Sequence, residues 1–141
     1  MIVKGNDKYE AGAMPTRQEL IEMDKFNDEL AKAGIMLAGE GLQPSSKGAR
    51  ISYAGNKRTV RDGPFTEAKE LVAGFWIWQV RSRAEALEWA KRIPFTNGEE
   101  VEIRQIFEAE DFGDALTPEM REQDKRKLEI IERNKQRAPG R

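Results

Sequence analysis

Ala73-Gly74-Phe75-Trp76-Ile77-Trp78-Gln79-Val80 reads as a central β-strand with no solvated side. Side chains alternate along a strand, so Phe75 and Ile77 point to one face while Trp76, Trp78 and Val80 point to the other. Both sets are apolar. Two helices can cover only one face of a sheet, and burying a pair of tryptophans on the remaining face stabilises by several kcal/mol at about 25 cal/mol per Å². A second copy of the chain is the simplest cover for the tryptophan face. The alternative is cover by a hairpin or tail of the same chain.

Outward from that strand, the flanking segments supply helices and partner strands. Residues 1–5 read as a short strand. Thr16-Arg17-Gln18-Glu19 is a capping box, in which the Thr16 hydroxyl accepts from the Glu19 amide and the Glu19 carboxylate accepts from the Thr16 amide. Leu20, Met23, Phe26, Leu30 and Ala33 follow at spacings of three and four, and Gly34 is placed to stop the helix. Ile35–Leu42 is an apolar strand cut by Gly39 and Gly41, which points to close backbone approach or a bulge. Pro44–Gly48 is a loop. Arg50–Tyr53 and Lys57–Val60 flank Ala54-Gly55-Asn56 as a hairpin. Ser82-Arg83-Ala84-Glu85 is a second capping box, opening a helix that buries Ala86, Trp89, Ala90 and Ile93 before Pro94. Glu100–Phe107 is the last strand. Strand, helix, strand, inserted hairpin, strand, helix, strand is a ferredoxin-like split βαβ plan of the α+β class.

A change of composition divides the chain near Gly113 into one folded domain over 1–113 and a charged C-terminal helical tail over 114–141. Thr117-Pro118-Glu119 combines a cap, a first-turn proline and a favourable acid for a third helix. Residues 119–137 are laced with charge, including Glu122 and Arg126 at i,i+4, and offer only Met120, Leu128, Ile130 and Ile131 for burial. Such a helix is expected to lean on the partner subunit or to be partly frayed, and it is the surface through which a protein partner would dock. Its basic residues lack the interleaved aromatics of a nucleic-acid surface, so nucleic acid is not expected.

Composition excludes much chemistry. The chain has 141 residues, 25 acidic against 24 basic, with no cysteine and no histidine. Disulfides, thiolate nucleophiles, zinc sites of the Cys/His type and imidazole acid–base catalysis are therefore absent. No cofactor or metal is implied. The balanced charge gives no pull towards nucleic acid or an anionic membrane, and no apolar run is long enough to span a bilayer. Nor is there a signal-peptide core at the N-terminus, so the cytoplasm is the expected compartment.

The chemistry that is left rests on carboxylates and cations. Asp62-Gly63-Pro64-Phe65 is a turn that holds Asp62 as a candidate acid or base, with Glu67 and Lys69 close behind it as ligand contacts or as a mutual pair. On the last strand Arg104 alternates with Ile103 and Gln105. If its face is the one lined by Trp76 and Trp78, its guanidinium needs a carboxylate or an anionic ligand. Glu40, between two glycines, is the natural internal partner and a second candidate acid or base.

Asp62-Gly63-Pro64-Phe65 followed by Thr66-Glu67-Ala68-Lys69-Glu70 resembles the signature of the DGPF subgroup of the YCII-related domain family. Met14-Pro15, Ala33-Gly34, Gly39-Glu40-Gly41-Leu42-Gln43-Pro44, Gly74-Phe75-Trp76, Ala86-Leu87-Glu88-Trp89 and Glu102-Ile103-Arg104 extend the resemblance over roughly residues 1–113. That resemblance implies a dimeric α/β barrel, two sheets packed face to face. In the broader family a first-helix histidine and an aspartate have been suggested as a catalytic pair. This chain has Glu22-Met23-Asp24 at the corresponding stretch and no histidine, so that pair is not carried over. The expected function is binding of a small anionic organic molecule in a barrel cleft. Arg104 would neutralise the ligand, Trp76 and Trp78 would wall the cleft, and Asp62 or Glu40 would serve proton transfer of the lyase or isomerase type. The resemblance also implies an alternative: a regulatory or interaction module accompanying extracytoplasmic-function sigma factors, docking through the third helix.

Overall fold

A computed structural model describes residues 1–96 and 98–137. The described residues divide into two compact units, Met1–Arg104 and Gln105–Arg141. The fold is a mixed α+β arrangement with antiparallel sheets and a C-terminal helix.

In the first unit, strands β1 (Ile2–Lys4), β2 (Met36–Gly41), β5 (Val72–Trp78) and β6 (Val101–Glu102) form one antiparallel sheet in the order β2-β5-β1-β6. This order is consistent with a split βαβ connection, because β5 and β1, distant in sequence, are the central neighbours. Between β1 and β2 lie a short helix α1 (Asp7–Glu10) and the 16-residue helix α2 (Arg17–Lys32). Helix α3 (Arg83–Ala90) joins β5 to β6. The inserted hairpin is β3 (Ala49–Ala54) and β4 (Lys57–Asp62), paired only with each other.

Local signals place these elements. The Thr16 capping box forms in full, with Thr16 N–H donating to Glu19 at 2.7 Å and Glu19 N–H to the Thr16 hydroxyl at 3.2 Å. At α3 only half of the expected box forms: Ser82 accepts from the Glu85 amide at 3.1 Å, but the Glu85 carboxylate takes the amide of Arg81 at 2.7 Å. Gly39 shows the close approach expected of it, since a Cβ there would stand 2.6 Å from Met36 Cε and 2.7 Å from Trp76 Cδ1. The pairing of β2 with β5 also shifts register between Met36 and Ala38.

The core corrects the expected role of the two sheet faces. Phe26, Leu30, Ile35, Trp76 and Ile93 are buried together, with Trp78, Val80, Trp89 and Ala90 packed around them. Phe26 of α2 meets Trp76 edge-on with ring centroids 6.4 Å apart, and Trp76 donates its indole N–H to Asn27 at 2.9 Å. The tryptophan face is therefore the one beneath the helices. The two wide indoles fill the space beneath the helices, and Gly39 opposite Trp76 leaves room for that ring. The face turned away from α2 and α3 carries Ile2, Phe75 and Ile77.

The last strand is shorter than expected: Val101–Glu102 rather than Glu100–Phe107. Both of its residues pair with β1, Val101 opposite Val3 and Glu102 opposite Ile2.

The second unit, described by itself, contains the turns of Ala109–Ala115 and helix α4 (Pro118–Arg137). Thr117 caps α4 by accepting from the Met120 amide at 3.3 Å, and Glu122 meets Arg126 at 3.8 Å as the i,i+4 spacing suggests. Phe107 and Phe112 stack with centroids 5.4 Å apart. No helix among the described residues is long and apolar enough to cross a membrane.

Candidate functional site

Register lines up four residues across the sheet face turned away from α2 and α3: Glu40 opposite Phe75, Phe75 opposite Ile2, and Ile2 opposite Glu102. Residues directly opposite share a face, so this row has an apolar centre with a carboxylate at each end. Arg104 closes one end, its Nε donating to Glu102 at 2.6 Å. That hydrogen bond and the guanidinium charge hold Glu102 below the usual carboxylate range. Glu40 is three strands away from Glu102, on the order of 14 Å at about 4.8 Å per strand. Arg104 thus pairs with Glu102 in place of Glu40, and on the face opposite the tryptophans, because its strand-neighbour Glu102 lies in the row with Phe75 rather than Trp76.

The other residues singled out from the sequence do not gather around Arg104. Trp76 is buried under α2, and Trp78 packs beside it with centroids 5.9 Å apart. Asp62 ends β4 opposite Ala49 and is exposed. Glu67 and Lys69 are exposed in a turn rather than an extended segment, Glu67 taking a left-handed φ of 64° just before the helical turn Ala68–Glu70. The alternation that would put Glu67 and Lys69 on one side does not apply there.

A second assembly, largely unread from the sequence, surrounds the Asp62–Phe65 turn. Ser45 is its hub. The Glu10 carboxylate accepts from the Ser45 amide at 3.1 Å and from its hydroxyl, while the Ser45 hydroxyl oxygen accepts from the Phe65 amide at 3.0 Å. Gly63 N–H donates to Gly48 O at 3.0 Å, closing the base of the hairpin. Tyr9, next to Glu10, donates its hydroxyl to the carbonyls of Leu42 and Gln43. Burial first, and the Glu10 charge second, raise the Tyr9 phenol above its ordinary pKa. Arg50 and Arg61 stand opposite each other in the hairpin, and both guanidiniums lie over the Phe65 ring, at 4.0 and 5.5 Å from its centroid. The only local signal for this assembly was Asn6 ahead of α1, whose side chain accepts from the Tyr9 amide at 2.9 Å.

A surface depression of about 290 Å³ lies apart from both assemblies, lined by Glu22, Lys25, Phe26, Glu29, Arg92 and Pro94. Arg92 pairs there with Glu29 and stacks on Trp89 at 4.2 Å, so its charge is already engaged. Among the described residues no group of three or more acidic side chains is placed to hold a metal ion.

Residues 1–110 match the model of the YCII-related domain. An uncharacterised protein of Rhizobium meliloti (strain 1021) is 34% identical over 76 residues, an alignment covering 54% of this chain and 61% of that protein. The match thus spans less than two thirds of the relative's length.

Proposed function

The chain belongs to the YCII-related domain family, and from that premise we propose a homodimeric protein of the DGPF subgroup that binds a small anionic organic molecule on the sheet face turned away from α2 and α3. The second copy encloses that face to form a dimeric α/β barrel built on a ferredoxin-like sheet. The observation that carries this reading is the row Glu40–Phe75–Ile2–Glu102 with Arg104 at its end. Apolar side chains at the centre and a guanidinium at the rim suit an organic acid: the body buries against Phe75 and Ile2, and the carboxylate competes with Glu102 for Arg104.

Glu40, at the far end of the row, is the acid or base of this proposal, and proton transfer of a lyase or isomerase is the reaction class. Asp62, Glu67 and Lys69 serve at most at the rim, from the exposed turn beside the hairpin. Trp76 and Trp78 support the strand from beneath and do not wall this cleft. The cytoplasm belongs to the same proposal. Fold analogy carries the reaction class.

The test is a thermal-shift screen of the protein against small carboxylic acids, lactones and phosphorylated metabolites, with Arg104→Ala run in parallel. A stabilisation that disappears in the variant, while the variant stays dimeric, is the expected result. A shift unchanged by Arg104→Ala removes Arg104 from the site, and no shift with any compound counts against the small-molecule reading.

A second reading is an interaction module for a protein such as an extracytoplasmic-function sigma factor. It is favoured by the apolar surface of the second unit, where Phe107, Ile106 and Leu128 are all more than 60% exposed. Retention of a partner by the full chain, but not by one ending at Gly113, is its expected signature.

A further inference from the structure

We propose that Arg50 and Arg61, converging on Phe65 at the base of the hairpin, form a binding site for an oxyanion, a carboxylate or phosphate group. The site is separate from the sheet face and stands whether or not that face binds a ligand.

The hairpin register puts the two arginines directly opposite each other. Like charges in that position repel and destabilise a two-stranded ribbon. Long, flexible side chains would ordinarily turn apart into water, since they lose nothing by doing so. Here both turn inward over the same ring, and among the described residues neither has an acidic partner. Asp62, the nearest carboxylate in sequence, sits one residue beyond Arg61 and so on the other face of the ribbon.

The ring that gathers the two guanidiniums is itself fixed. Phe65 is held through its amide by the Ser45 hydroxyl, and Ser45 is held in turn by the Glu10 carboxylate. Gly63, whose missing side chain leaves room for Ser45 O, lets the turn close against that loop. A cation over an aromatic face is weakly attracted at an exposed site, but the ring does not supply the charge that would neutralise a second cation beside it. An anion between the guanidiniums does, because each presents a planar fork of donors matched to two oxygens of a carboxylate or phosphate. Phe65 then offers an apolar surface for the organic part of such a ligand.

The experiment is a thermal-shift titration of the full chain with inorganic phosphate and, separately, with benzoate, ionic strength being held constant with sodium chloride. Arg50→Gln and Arg61→Gln are compared with Lys57→Gln, which removes one positive charge from the same face near the hairpin tip. At least one of the two anions is expected to stabilise the natural protein, and the one that does identifies the phosphate or the carboxylate as the recognised group. Each arginine variant is expected to weaken that binding on the order of ten-fold or more, while Lys57→Gln leaves it intact. Without anion, each arginine variant is expected to melt no lower than the natural protein, because the repulsion is gone; this separates lost binding from lost folding. Absence of any shift with both anions, or a shift that survives in both arginine variants, overturns the proposal.

Discussion

The carbonyl oxygen of Ser45 occupies the space a side chain on Gly63 would need, only 1.8 Å from where its Cβ would stand. A backbone atom cannot swing away as the tip of a flexible side chain can. Gly63→Ala is therefore expected to cost about 2–3 kcal/mol, or to detach the turn from the loop, as measured by urea unfolding. Gly48 is the control, since a Cβ there meets the same Ser45 oxygen at an ordinary 3.5 Å and its φ of −111° suits any residue. Gly48→Ala is expected to be neutral or slightly stabilising.

The two tryptophans differ in one hydrogen bond. Trp76 donates its indole N–H to Asn27, whereas the buried indole N–H of Trp78 has no acceptor among the described residues. Replacing each by phenylalanine removes similar packing, so Trp76→Phe is expected to exceed Trp78→Phe by about 1 kcal/mol in chemical denaturation. Equal costs would mean the Asn27 bond contributes nothing net.

Helix α2 should be acid-sensitive at its start. The amide of Thr16, first, and its hydroxyl hold the Glu19 carboxylate below its ordinary pKa. A depressed folded pKa gives stability that is complete above the unfolded value and is lost as the pH falls through the folded one. Glu19→Gln is thus expected to lower the melting temperature near neutral pH, with the difference closing well below about pH 4. Thr16→Ala, which removes the cap itself, is expected to cost about 1 kcal/mol at neutral pH.

The dimer proposal has its own readout on the sheet face turned away from α2 and α3. Ile77 shares that face with Ala38, its opposite neighbour on β2. Ile77→Glu is expected to keep the far-ultraviolet circular dichroism of the fold and to sediment as a monomer. A variant that remains dimeric would place the contact between copies elsewhere.

What the sequence disclosed was chiefly local. The Thr16 box, the Thr117 cap and the hairpin around Gly55 were legible because their signals lie within a few residues of one another. Alternation showed that the strand through Trp76 has two apolar faces, yet it carries no information on which one the helices take. That choice depends on the fit of Phe26 against both indoles and against Trp89, contacts between distant segments. The length of β6 was illegible for the same reason, since it follows the pairing with β1 and not the apolar pattern of residues 103–107. Among the candidate site residues, Arg104 does pair with a carboxylate, but the nearer Glu102 outcompetes Glu40, which register places across the sheet. The Ser45 hub was invisible because its partners Glu10 and Phe65 lie 35 and 20 residues away.

The hairpin is exposed along both strands and, among the described residues, pairs with no other strand, so its attachment is concentrated at one end. An isolated two-stranded ribbon is marginal in water. Amide hydrogen exchange should consequently run as a gradient, fastest at Gly55 and Asn56 and slowest where Gly63 and Phe65 are bonded to Gly48 and Ser45. The ribbon would then behave as a subunit of stability in its own right, able to open and reclose while the four-stranded sheet stays folded, with the Asp62–Phe65 turn as its pivot.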